Sequence, residues 1–296
     1  MGSYDDDVFR AAYDTVLARW PADREAVTVP TPFGETYVNV CGPRDAPPLL
    51  LLPGGGGATS ASWCAQAADL ARSRRVYAVD LIGAAGRTGA RGARTVDDLG
   101  DWLDAVLAGL GIGPDVPVDL GGHSYGGWIA LHHALRAPER VRRLFLLDPT
   151  QCFAGFETAY LLRALPMLLR PTPRRVRAFL DWESGGAVMD PDWLRLQEAA
   201  AGFPAGRPVT GPRPAPEALR ALRTRVLLLV AANSRTRPHS RLRSSGGTPT
   251  PYEVAARAGD VLPYVETVVL PDVSHHQLPV AAPSGMGRRL SSFLGV

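Results

Sequence analysis

A serine with glycine two residues before it and two after it, Gly122-His123-Ser124-Tyr125-Gly126, stands where a short apolar run ends and a helical pattern begins. A hydroxyl on so tight a strand-to-helix turn projects outward only if the flanking positions lack side chains that would collide across the turn. The helix behind it aims unpaired N–H groups and a positive dipole end at any negative charge that develops there. Those are the requirements of a nucleophile that attacks a carbonyl, and such a hydroxyl needs a base. All 32 Lys+Arg residues of the 296-residue chain are arginine. Without lysine there is no Ser-Lys dyad, no Schiff base and no P-loop lysine, and a guanidinium stays protonated, so activation falls on histidine. His132 and His133 lie inside the helix behind the serine and read as packing or surface residues, and His239 lies in a polar loop. His275 and His276 follow an apolar stretch and the loop Pro271-Asp272-Val273-Ser274.

The elements that must position these groups follow from periodicity. Residues 8–20 place Val8, Ala12, Val16 and Trp20 on one helical face before Pro21. Residues 26–29 and 36–41 read as a hairpin turning at Gly34. Short apolar runs at 48–52, 75–81, 117–121 and 141–147 have the continuous character of strands buried on both faces. Helical patterns at 60–71, 95–110 and 124–136 alternate with them, which means a mostly parallel, doubly wound sheet. The rhythm breaks at Pro149. Up to about residue 223 only helical segments appear, at 157–170, 173–182 and 191–201, before strands at 225–231 and 266–270, a helix near 252–262 and a final helix at 281–294. Residues 1–148 and 224–296 therefore read as one core domain, and 149–223 as a helical insertion lying over it as a lid. Trp182 and Trp193, with Tyr160, Leu161, Leu162, Met167 and Leu168, belong to that lid, and some are expected to line an apolar pocket.

The net charge of +3 is spread along the chain, and 46% hydrophobic with 21% charged residues describes an ordinary globular protein. No run of like charges suggests a nucleic-acid or membrane partner. The first twenty residues carry Asp5, Asp6 and Asp7 and no apolar run, and no stretch approaches eighteen apolar residues, so the expected location is the cytoplasm. Cys41, Cys64 and Cys152 are too scattered for a disulfide frame or a zinc site.

With these motifs in place, the chain resembles the α/β-hydrolase fold superfamily over essentially its whole length, in particular actinobacterial carboxylesterase-like hydrolases. The resemblance rests on the serine pentapeptide, the opening helix Tyr13 to Pro21 (YDTVLARWP), Pro32-Phe33-Gly34, Leu51-Leu52-Pro53-Gly54-Gly55 and Asp80-Leu81-Ile82-Gly83-Ala84-Ala85-Gly86-Arg87. It implies an eight-stranded sheet, a helical cap between the sixth and seventh strands, and a Ser-acid-His triad in that chain order. It also implies oxyanion donors in the glycine run, assigned by position to the N–H groups of Gly55 and Tyr125, with Gly56 as the alternative to Gly55. The same resemblance places the base on the loop after the last strand, where spacing to the final helix favours His275 over His276.

In two places the chain departs from the pattern. Pro53-Gly54 stands where many relatives have His-Gly. After the strand 225–231 the resemblance expects a carboxylate, yet the chain reads Ala231-Ala232-Asn233-Ser234-Arg235-Thr236-Arg237, and no acid occurs between Glu217 and Glu253. Candidates for the acid are then Asp148, which ends the preceding strand, Asp272, which more simply shapes its turn, Asn233 or Ser234 as uncharged acceptors, or no residue at all. The resulting expectation is a cofactor-free, metal-free serine hydrolase acting as a monomer or homodimer on a small-molecule ester, lactone or thioester. Ser124 is the nucleophile, His275 the base and Asp148 the acid. The alternatives are a non-hydrolytic isomerase, cyclase or lyase on the same fold, or a ligand-binding protein without catalysis, both motivated by the missing acid. Arg235, Arg237, Arg241 and Arg243 around His239 form either an anion-binding loop or a solvated one.

Overall fold

Leucines 49 to 52 in strand β3 (Pro48–Leu52) point alternately to the two sides of a sheet, Leu49 and Leu51 into one apolar layer and Leu50 and Leu52 into the other. The strands β6 (Val141–Leu147) and β7 (Arg225–Ala231) do the same, which is why their sequences are apolar without alternation. The structure, a computed structural model, describes residues 4–89, 92–236, 250–281, 283 and 285–295. The remaining strands are β1 (Glu25–Thr31), β2 (Gly34–Cys41), β4 (Arg75–Val79), β5 (Val118–His123) and β8 (Val265–Leu270). They join in one eight-stranded sheet of order β1-β2-β4-β3-β5-β6-β7-β8. Only β2 pairs antiparallel, with β1 and with β4; all the other neighbours are parallel.

One face of the sheet is covered by α1 (Asp6–Leu17), by α10 (Met286–Leu294) and by apolar residues from α5 (Thr158–Leu169), α6 (Pro173–Glu183) and α7 (Pro191–Ala199). The other is covered by α3 (Val96–Gly109), α4 (Ser124–Arg136), α8 (Pro216–Ala221) and α9 (Pro251–Val261). No helix among the described residues is long and apolar enough to cross a membrane.

Three elements differ from the periodicity. Residues 60–71 split into a 3₁₀ turn Ser60–Ala65 and the single turn α2 (Ala67–Leu70). Ser60 and Ser62 are drawn into side-chain bonds that compete with a regular helix, Ser60 Oγ donating to Asp80 at 2.7 Å. The last helix begins at Met286, after Pro283 and after Gly285 in the left-handed region at φ 84°. The short helix α8 has too few residues to show a period.

Asp80 ties together two of the resemblance motifs, the opening helix and the stretch from Asp80 to Arg87. Fully buried at the end of β4, it accepts from the Ser60 N–H (2.8 Å), the Ser60 hydroxyl (2.7 Å), the Arg87 N–H (2.6 Å) and the Tyr13 hydroxyl (3.1 Å). A Cβ on Gly86 would stand 2.7 Å from that carboxyl group. The guanidinium of Arg87 lies 4.5 Å from the Tyr13 ring centroid and pairs with Asp14 at 2.7 Å. Helix α1, the 3₁₀ turn and the loop after β4 are thus tied to one carboxylate in the core.

Candidate active site

The carboxyl ends of β3, β5, β6, β7 and β8 lie side by side, with Leu52 opposite Gly122, His123 opposite Leu147, Leu147 opposite Leu229 and Ala231 opposite Leu270. Ligands of open α/β sheets bind beyond that edge. Ser124 leaves β5 there with φ 53°, a left-handed conformation that a non-glycine residue adopts only when its surroundings enforce it. The enforcement comes from the two glycines. A Cβ on Gly122 would be 2.4 Å from the Gly126 carbonyl oxygen, and one on Gly126 would be 2.3 Å from that of Pro53. Strand β3 therefore approaches the turn more closely than any side chain permits.

Three sequence candidates meet at this edge. The Ser124 hydroxyl lies 2.8 Å from Nε2 of His275, and Nδ1 of His275 lies 2.6 Å from Oδ2 of Asp148. A carboxylate only accepts, so Nδ1 carries the proton and Nε2 is left to accept from the serine. Asp148 continues the sheet ladder for one residue, its N–H donating to the Leu229 carbonyl at 2.7 Å, and then turns off with φ 41°. Because His123 is opposite Leu147, the residues that follow, Ser124 and Asp148, leave the sheet from adjacent strands. His275 is 1% exposed, Asp148 is fully buried and Ser124 is 9% exposed.

The other acid candidates are placed elsewhere. Asn233 is exposed, and its N–H donates to the Val273 carbonyl at 3.0 Å. The Ser234 hydroxyl bonds that of Thr236 at 2.7 Å. Asp272 is exposed on its turn at φ 57°. His276 is half-buried against the rings of Phe179 and Trp193, and desolvation first, with the neighbouring His275 next, holds its pKa well below the usual imidazole range. His133 is buried 3.9 Å from Asp104, and the His132 ring packs 4.4 Å from that of Trp128, as packing residues do. Of the arginine loop, Arg235 is described, 5.2 Å from the Trp182 ring centroid; Arg237, His239, Arg241 and Arg243 lie outside the described residues.

The glycine run lies against the nucleophile. A Cβ on Gly54 would be 3.5 Å from Ser124 Cβ, and one on Gly55 3.5 Å from Tyr125 Cβ, while Gly56 takes φ 72°. Tyr125, second residue of α4, has an N–H with no intrahelical acceptor. Residues from the insertion hold this region from above. Gln197 donates to the Gly57 carbonyl at 2.9 Å, the Trp193 indole to the Ser62 hydroxyl at 3.2 Å, and the Tyr125 hydroxyl to the Val209 carbonyl at 2.9 Å.

Sequence reasoning missed two residues. His123, the residue before the nucleophile, donates from Nε2 to the carbonyl oxygen of His275 at 2.9 Å, and burial pushes its pKa down to about 3, so it is neutral at physiological pH. A Cβ on Gly54 would meet its ring at 2.9 Å, so glycine after Pro53 leaves room for an imidazole contributed here by β5. Glu183, last residue of α6, accepts from the His275 N–H at 3.3 Å. The signal for His123 was its place inside the pentapeptide; for Glu183 it was an acid at the wrong end of a helix.

A family model described as the alpha/beta hydrolase family matches residues 49–286, most of the chain. The chain belongs to the alpha/beta hydrolase family. Among curated relatives it is 39% identical to carboxylesterase YbfK of Bacillus subtilis over 149 residues, spanning 50% of this chain and about half (49%) of that protein. It is 29% identical to the carboxylesterase nap of the same organism over 95% of this chain and 90% of that one. The solved structure of carboxylesterase CesB (YbfK) superposes with a TM-score of 0.82 at 27% identity, over 97% of this chain and 96% of that one. That of naproxen esterase from B. subtilis superposes at 0.85 with 26% identity, over 98% and 99%. The eight-stranded, mostly parallel sheet of this alpha/beta hydrolase is the architecture that the family resemblance implies.

Proposed function

We propose that this alpha/beta hydrolase is a serine esterase that cleaves carboxylic esters through an acyl-enzyme on Ser124. The observation that carries the reading is the unbroken pair of hydrogen bonds from Ser124 through His275 to Asp148, 2.8 and 2.6 Å long. The carboxylesterase relatives support the same reaction class. Ser124 Oγ attacks the ester carbonyl while His275 Nε2 takes its proton; Asp148 keeps Nδ1 protonated and stabilises the imidazolium. The N–H groups of Gly55 and Tyr125 receive the oxyanion. Collapse expels the alcohol, which takes the proton from Nε2. Water then attacks the acyl carbon with Nε2 again as base, and Ser124 is released with the acid. A non-hydrolytic or purely binding protein would be favoured by a histidine without a carboxylate, and the 2.6 Å bond from His275 to Asp148 supports the hydrolytic reading instead.

In this reading residues 149–223 cap the site, and the aromatic rings of Tyr160, Phe179 and Trp182, packed 5.5 to 6.0 Å apart, give it an apolar roof. Small-molecule esters are the substrates, without nucleic acid, and the enzyme works as a monomer or homodimer. A cytoplasmic location fits the three buried free thiols, with Cys41 pushed up to about 12 and Cys64 to about 11 by burial.

The test is labelling with a fluorophosphonate alongside hydrolysis of p-nitrophenyl acetate. The native protein is expected to be labelled at Ser124 and to turn over; Ser124→Ala should do neither. A folded native protein that is not labelled, or turnover that survives in Ser124→Ala, refutes the reading.

A further inference from the structure

Glu183 ends α6, and a carboxylate there is disfavoured twice. It sits at the negative end of the helix dipole, and it is wholly buried, where an ionisable group costs several kcal/mol unless it is compensated. Neither helix propensity nor packing accounts for an acid at such a place. Among the described residues no arginine pairs with it, and Oε2 is buried without a hydrogen-bond partner.

What it faces is main chain. Oε1 accepts from the N–H of His275 at 3.3 Å. His275 follows β8. One carboxylate, delivered by a helix inserted between β6 and β7, thus holds the main chain of the loop after β8 at the reacting edge. The loop after β7 is the one in which the chain carries no acid of its own.

Every polar group of His275 is then held. Nε2 meets Ser124, Nδ1 meets Asp148, the carbonyl accepts from His123, and the N–H donates to Glu183. The core supplies three of these contacts and the insertion supplies the fourth.

We propose that Glu183 is a positioning residue for His275, a carboxylate lent by the inserted helices that fixes the main chain of the base while Asp148 fixes its ring. The inference rests on His275 acting as the base for Ser124. It makes the reactive geometry conditional on α6 being docked, because removing Glu183 frees the main chain of His275. A displacement of about 1 Å at a reacting group lowers turnover by about 100-fold.

The test compares Glu183→Ala, Glu183→Gln and Ser124→Ala with the native enzyme, using p-nitrophenyl acetate and thermal melting. Glu183→Ala is expected to lower kcat by about 100-fold with KM moving less than about threefold. Glu183→Gln keeps one acceptor oxygen and removes a buried charge, so it is expected to recover kcat to within about tenfold of native, with Tm no lower. Turnover of Glu183→Ala within about twofold of native, or Glu183→Gln no better than Glu183→Ala, overturns the proposal. Should Glu183→Ala not fold, Glu183→Met, which fills the same space without an acceptor, decides by fluorophosphonate labelling of Ser124: a rate at least about tenfold slower at native Tm supports the proposal, and an unchanged rate overturns it. Turnover surviving in Ser124→Ala would instead refute the nucleophile reading, so the two failures remain distinct.

Discussion

Asp148 and Asn233 stand at the ends of adjacent parallel strands, yet only Asp148 reaches the imidazole. The proposed division of labour predicts that Asp148→Asn lowers kcat by about 10³- to 10⁴-fold with little change in KM. The amide offers an N–H to Nδ1, which forces the proton onto Nε2, and that nitrogen can no longer accept from Ser124. Asn233→Ala and Ser234→Ala are expected to stay within about twofold of native, as substitutions away from the reacting groups do. Steady-state kinetics on a p-nitrophenyl ester separate the cases. Equal losses in Asp148→Asn and Asn233→Ala would contradict the assignment. The sequence names Asp148 as the acid but leaves Asp272, Asn233 and Ser234 open beside it, because Asp-Pro after a strand is also ordinary turn chemistry. Pairing across the sheet, with His123 opposite Leu147, is what puts this aspartate beside the serine.

At the scale of elements, the turn between β5 and α4 depends on how closely β3 passes beneath it. Gly126→Ala would drive a methyl group to within 2.3 and 2.4 Å of the Pro53 and Leu52 carbonyl oxygens, backbone atoms that no rotamer change can move. The expected loss is about 3 kcal/mol or a failure to fold. Gly56 offers the contrasting case, since a Cβ there meets nothing within 4 Å and only the φ of 72° is unfavourable. Gly56→Ala should cost about 1 kcal/mol. Urea denaturation midpoints for the two variants check this order, and a reversed order would show that contact with β3 is not what requires glycine at 126. Elements themselves were largely legible from apolar period: β3, β6, β7 and α4 fall where the sequence puts them. The exceptions, the broken helix at 60–71 and the late start of α10, occur where serine bonds or proline outweigh periodicity.

Across the whole molecule the unusual feature is the number of histidines whose surroundings favour the neutral form. His123, His132, His133 and His276 are all shifted down, chiefly by burial. In each case the unfolded chain binds a proton near pH 6.5 that the folded chain refuses, so stability is full above that pH and is lost as the pH falls. With the folded value of His123 at about 3, that residue alone removes about 2 kcal/mol between pH 6.5 and pH 5. Asp80 and Glu183 are shifted up, again by burial first, and act in the opposite sense: their protonated forms favour the folded state below their folded values, and that contribution is lost as the pH rises through them. The four histidine contributions share one sign, and all act below pH 6.5. Thermal melts are expected to show Tm falling steadily from pH 7 to pH 5, and the drop should shrink in His123→Phe if that variant folds. A flat Tm over this range would contradict the buried neutral state.

The sequence alone determined the strands, the serine on its glycine-flanked turn, the need for a histidine base and the absence of an acid after the seventh strand. These are local properties, set by apolar period, by the room a turn leaves for side chains, and by which residue types are present. It did not determine which acid and which histidine meet the serine, nor that His123 and Glu183 would hold the main chain of His275. Those contacts join residues 92 to 152 positions apart. Only the register of parallel strands, and the docking of helices inserted between them, brings such residues within 3.3 Å of one another.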